Sequence, residues 1–311
     1  MTFWITLAVI SQLFFATTAL IDKYIVTSGK VSKPVVLAFY VGLMSSLTAV
    51  VFLFGWVSLP FNGISIPSFS NVSWPTFEVA WLSILAGFSF IGALVFLFSA
   101  LKRADASDVV PVSASMSAVS SLALGLIFLG NDLTSNFVFG VVVLVFGMLL
   151  VSLFQFSRKV LLFSMIAGTF FGTHFVLVKL VFNETVFDNG FLWTRLGIVL
   201  ASLFLLLLPA CHSDVKEHKG KTTRKKLFAW ILGNKVLAGI AGILSLKAIE
   251  LGDVSVVQAL GALQFAFLLV FALFWGGKTP YACGENCNTR QKWQKVISVV
   301  VIGLGFYILF I

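Results

Sequence analysis

Phe14-Phe15-Ala16-Thr17-Thr18-Ala19-Leu20-Ile21-Asp22-Lys23 aligns without a gap on Phe170-Phe171-Gly172-Thr173-His174-Phe175-Val176-Leu177-Val178-Lys179. The two stretches lie half a chain apart in 311 residues. Shorter pairings follow in the same order. Phe39-Tyr40-Val41-Gly42 matches Thr194-Arg195-Leu196-Gly197, and Ala104-Asp105-Ala106-Ser107 matches Gly252-Asp253-Val254-Ser255. The chain therefore divides into two halves of one plan, 1–156 and 157–311.

Both repeated stretches are apolar, and so is the rest. The chain is 59% hydrophobic and only 11% charged, with a mean hydropathy of +1.05. Soluble domains carry about 25% charged residues, so this composition cannot make a water-facing surface. It excludes a cytosolic enzyme, a nucleic-acid-binding module and a disordered chain. The expectation is an all-α polytopic membrane protein. A spanning helix takes about 20 apolar residues, and ten segments qualify: 3–21, 35–57, 79–101, 109–129, 137–153, 160–182, 191–209, 227–249, 254–275 and 296–311. Trp4, Trp56, Trp81, Trp193, Trp230, Trp275 and Trp293 fall near segment ends, where an interfacial aromatic belt would lie.

Five spans per half is an odd number. The second half therefore enters the membrane from the opposite side, which makes a 5+5 inverted repeat around a central cavity. That is a transporter architecture, with substrate held near the midplane between halves. The loop charges orient it. The net charge of +9 collects in the odd loops: Lys23, Lys30 and Lys33; Lys102 and Arg103; Arg158 and Lys159; the run 216–226; and Lys278, Arg290, Lys292 and Lys295. Lys and Arg mark cytoplasmic loops, so both termini are expected outside a plasma membrane. Cys283 and Cys287 form a CxxxC in the last of these loops, a weak signal for a disulfide or a metal.

Several short motifs recur in a fixed order: the Phe171-Gly172…Lys179 pattern, Arg195 early in the seventh span, the Ala100-Leu101-Lys102…Ala106-Ser107 junction, Leu129-Gly130-Asn131-Asp132-Leu133-Thr134, and Gly140 with Gly147. Together they resemble the EamA-like transporters of the drug/metabolite transporter superfamily. The resemblance covers nearly the whole chain. It implies a basket in which the first four helices of each half line the cavity, the fifth and tenth pack the halves together, and small metabolites cross by alternating access.

Polar residues inside spans are costly and are functional candidates by default. Gly168, Gly172 and Lys179 share a helical face, and Gln12, Ala16 and Lys23 repeat it. Lys179 either faces the cavity or snorkels to the interface. Arg195 either faces the cavity or pairs with Glu184 or Asp188. Tyr40 takes the position in the second span that Arg195 takes in the seventh. Lys235 lies inside the eighth span or marks its cytoplasmic start. His174 binds substrate or, the preferred reading, bonds across helices. Gln258 and Gln264 are about 120° apart on one continuous helix, so both cannot face the cavity squarely. Lys247 and Glu250 make an i,i+3 pair. Ser113, Ser117 and Ser121 form an i,i+4 stripe whose default role is close packing.

No Asp or Glu lies at the centre of a span, while Lys and Arg do. That favours a substrate bearing a carboxylate or phosphate, an amino acid among them. HExxH, Walker A and GxSxG signatures are absent. The expected function is therefore secondary transport rather than enzymatic, with no cofactor and no metal. A membrane-embedded enzyme or a channel-like facilitator is the alternative. The expected partners are a small-molecule substrate and the lipid bilayer, no nucleic acid, and a second copy if the fifth or tenth helix dimerises.

Overall fold

The apolar runs that follow Thr76, Ser157 and Asp253 show how the sequence starts its helices. Thr76 Oγ1 accepts from the Val79 amide at 3.2 Å, Ser157 Oγ from Val160 at 3.4 Å, and Asp253 Oδ1 from Ser255 and Val256 at 2.6 and 3.2 Å. Each side chain satisfies amides that no helical carbonyl reaches. Pro34 opens its helix at a position where a missing N–H is harmless.

The protein is described by a computed structural model over residues 3–27, 33–55, 67–104, 106–130, 135–152, 157–207, 221–275 and scattered positions between 293 and 308. Cys211, Cys283, Cys287, residues 131–134 and most of the tenth expected span lie outside these. Regular structure among the described residues is helical throughout. In chain order, α1 is Phe3–Thr27 and α2 is Pro34–Met44, continued by a 3-10 segment Ser45–Phe54. Then follow α3 (Phe77–Leu101), α4 (Ala106–Phe128), α5 (Ser135–Ser152), α6 (Arg158–Glu184) and α7 (Phe187–Phe204). The last are α8 (Lys221–Leu251), α9 (Val254–Ala259) and α10 (Ala262–Trp275).

Seven segments among the described residues are long and apolar enough to cross a bilayer. Two shorter apolar helices, Val138–Gly147 and Val254–Leu268, match the fifth and ninth expected spans. The chain is thus an all-α integral membrane protein. Its outward side chains are apolar along the spans, with Ile127 72% and Leu207 71% exposed. Trp74 and Phe77 stand out at the start of α3, and the Trp74 ring lies 6.3 Å from that of Trp193.

Small residues set the helix crossings. A Cβ on Gly87 of α3 would fall on the Gly197 backbone of α7, and one on Gly197 would fall on the Ser83 carbonyl. A Cβ on Gly172 of α6 would come within 2.6 Å of the Ser117 carbonyl oxygen of α4, and one on Gly168 would fall on that of Ser113. Ser113 Oγ donates to the Ser164 carbonyl at 3.1 Å. The serine stripe thus packs α4 on α6, as small residues do in membrane interiors.

Two hydrophobic clusters flank the bundle interior. One centres on Leu37, Phe98, Leu101 and Ile198, the other on Phe191, Leu246, Ile249 and Leu260.

Candidate functional site

A cavity of about 240 Å³ opens where these clusters meet, bordered by Leu94 and Leu101 of the first and Leu246 of the second. It is lined by α1, α2 with its 3-10 extension, α3, α4, α6, α7, α8 and the α9–α10 junction. Most of the wall is apolar, with the rings of Phe15, Phe90, Phe171 and Phe175 prominent.

Of the eight residues singled out from sequence, Gln12, His174, Arg195, Lys235, Gln258 and Gln264 line this cavity. Lys179 and Tyr40 are not among its lining residues. Tyr40 is half-buried, its ring 5.4 Å from that of Phe39.

Lys179 serves helix ends. Its Nζ donates to the carbonyls of Ile249 and Glu250, both at 2.9 Å, and of Gly252 at 3.1 Å, where α8 ends. Those carbonyls have no amide partner within the helix and carry the negative end of its dipole. Lys23, its counterpart in the sequence pairing, does the same at the end of α3. Its Nζ donates to Leu101 at 2.9 Å and Ala104 at 2.6 Å.

Arg195 has no such partner among the described residues. Its guanidinium lies 5.0 Å from the Phe191 ring centroid, and its Nε is buried without a hydrogen bond. The expected alternative, a pair with Asp188, is not formed. Asp188 Oδ2 accepts from the Ser68 amide at 3.1 Å and from Asn71 Nδ2 at 2.8 Å, pinning the segment before α3 to the start of α7. Glu184 is exposed at the end of α6.

His174 bonds across helices as preferred: its Nδ1 lies 2.8 Å from the Ala86 carbonyl of α3. Phe90 and Phe175 hold the ring, at 4.9 and 5.1 Å between centroids.

Lys235 lies within its span and makes an ion pair. Its Nζ is 3.0 Å from Asp22 Oδ1, joining α8 to α1. Asn234 Nδ2 donates to the same oxygen at 2.8 Å. Asp22 also lines the cavity, so a buried acid is present that its place near the end of the first span did not single out. The sequence signal was slight: one acid beside the aligned lysine, its partner more than half a chain away.

Both glutamines reach the cavity because their helix is broken. At Leu260-Gly261 the ladder tightens, with the Gly261 amide on the Gln258 carbonyl at 3.0 Å and that of Leu263 on Leu260 at 2.9 Å. A continuous 100° step per residue therefore does not carry across the junction. Gln258 Oε1 accepts from Ser117 Oγ at 3.0 Å. The Lys247–Glu250 pair is formed at 2.5 Å.

The fold and cavity define a class: an α-helical integral membrane protein whose helices line a mostly apolar chamber bordered by the guanidinium of Arg195, which has no ion-pair partner among the described residues. No family model and no curated protein sequence matches the chain. A solved structure described only as the crystal structure of a protein is similar to it, with a TM-score of 0.67 over 98% of this chain and 96% of that one. The two are 16% identical, so the likeness is one of fold.

Proposed function

We propose that the chain is a secondary transporter for a small metabolite bearing a carboxylate or phosphate, of the EamA-like kind its motifs resemble. In this reading ten helices form a 5+5 inverted repeat, residues 1–156 and 157–311, and the halves rock about the cavity. One observation carries it: the guanidinium of Arg195 borders a chamber lined from both halves and has no anionic partner among the described residues. An unpaired charge in a membrane interior is costly, and an anionic ligand relieves it. The parallel roles of Lys23 and Lys179 at two helix ends support the repeat.

Counterflow in vesicles tests the site. Arg195→Gln is expected to weaken half-saturation by about 10–100-fold, the worth of a charged hydrogen bond. Lys179→Met, which touches only helix-end carbonyls, leaves it unchanged. Equal kinetics in Arg195→Gln and the parent would remove the assignment.

In the same reading both termini lie outside the plasma membrane, and the odd-loop charges support it. An enzyme reporter active only outside, fused to Ile311, is expected to score, and a cytoplasmic fluorescent reporter to stay dark. The reverse pattern would invert the orientation.

A further inference from the structure

The cavity is not centred between the two ends of the bundle. Toward the odd-loop end it reaches Leu101, the last residue of α3, and Val110, near the start of α4. On α1 it reaches Asp22, and on α8 it reaches Lys235, just past Ile231 where that span begins. At 1.5 Å per residue, each of these lies within about 8 Å of its helix or span end. Toward the other end the lining stops at Gln12 on α1 and Phe175 on α6. Both are about 14 Å from the ends of their helices, at Phe3 and Glu184. Leu7, Phe182, Phe187, Phe191 and Ile249 of the second hydrophobic cluster pack that depth. One closure is thick and apolar, and the other is thin.

On the thin side the two halves of the chain are joined by charge. Lys235 Nζ lies 3.0 and 3.2 Å from the two Asp22 carboxylate oxygens. Asn234 Nδ2 donates to Asp22 Oδ1 at 2.8 Å and to the Thr18 carbonyl at 3.4 Å. Each of these bonds ties α1 of the first half to α8 of the second.

An ion pair suits a contact that opens. Apolar faces that part are wetted at a cost. Charges that part regain the hydration they gave up, so a buried pair holds its elements with little net free energy. Asn234 Oδ1 is buried with no hydrogen-bond partner among the described residues. The closed contact bears that cost, and water entering on opening would relieve it.

We propose that Asp22 and Lys235 gate the cavity toward the odd-loop face. The pair separates when the cavity opens there, while the apolar side stays shut. The inference rests on the carrier reading in taking the two halves to move against each other.

Thiol labelling tests the gate without reference to transport. Ser245 lines the cavity and is 2% exposed. Ser245→Cys is placed in a full chain whose three cysteines are replaced by alanine. It is then labelled with a sulfonated, membrane-impermeant methanethiosulfonate in vesicles of known orientation. Lys235→Gln removes the attraction but leaves polar groups that water can reach. It is expected to label about tenfold faster than the parent, from the odd-loop face alone, as the open state gains population. Asp22→Leu/Lys235→Met replaces the pair by an apolar contact that resists wetting, and it is expected to label no faster than the parent. A Lys235→Gln chain that labels at the parent rate overturns the gate. So does faster labelling from both faces, which marks general loosening, or a double variant that labels as fast as Lys235→Gln. Counterflow with unchanged labelling would remove the gate alone. Gated labelling in a chain without counterflow would remove the carrier reading and leave the gate.

Discussion

Gly197→Val is expected to prevent the protein from assembling: a broad aggregated peak in size-exclusion chromatography, with no cooperative thermal transition. At this position α7 meets α3 backbone to backbone. A Cβ there would fall on the Ser83 carbonyl, and the matching Cβ on Gly87 would fall on Gly197 itself. Overpacking a side-chain core usually costs about 1–3 kcal/mol because neighbours change rotamer. A helix backbone has no rotamer to change, so the two helices must separate. That would also open the cluster around Phe191 and Ala86 on one side of the cavity. The control is Gly233→Ala in α8. Nothing lies within 4 Å of its added Cβ, and removing a helical glycine gains about 0.5–1 kcal/mol. A monodisperse Gly197→Val protein melting with the parent would show that this crossing is not the one that holds α3 on α7.

The crossing shows what was legible in the sequence. Glycines at helical spacing announce a close approach on a known face, and Gly168 and Gly172 made α6 an inward helix before its partner was known. The partner proved to be the serine stripe of α4, which the i,i+4 spacing of Ser113, Ser117 and Ser121 had assigned to packing. Lys247 and Glu250 were readable for the same reason: the pair closes within one turn. Membrane spans were legible because hydrocarbon demands a long apolar run from each of them.

Long-range partners were not legible. Lys179 satisfies backbone carbonyls of α8, and a carbonyl leaves no mark in the sequence. Only the alignment with Lys23, each lysine serving the junction before an aligned Asp, hinted at a shared structural duty. The glutamines failed for another reason. Angular reasoning assumes one straight helix, and Gly261 interrupts it between Gln258 and Gln264. Interrupted helices are the device by which transporters aim backbone and side chains into a cavity, so the local rule broke at the candidate site itself.

Asp22 lies near the end of α1, and it is the only acid among the described residues lining the cavity. Its pair with Lys235 yields the second large effect. Asp22→Leu is expected to destabilise the protein by about 3–5 kcal/mol, because it leaves the Lys235 ammonium buried with no opposite charge. The side chains are only 10% and 13% exposed, so solvent cannot replace the lost partner. Lys235→Met strands the carboxylate instead, but Asn234 Nδ2 still donates to it at 2.8 Å, so its effect should be the smaller. Removing both charges together should restore stability to near the parent, since a buried pair returns little over well-packed apolar groups of the same size. Unfolding of the four proteins in one detergent measures this cycle, and the coupling should be at least as large as the Asp22→Leu loss, about 3–5 kcal/mol. Raising the salt should leave it unchanged, because ions screen exposed pairs far more than buried ones. If Asp22→Leu unfolds with the parent, or the double variant is as unstable as the two singles added, then α1 and α8 are held by their apolar faces alone.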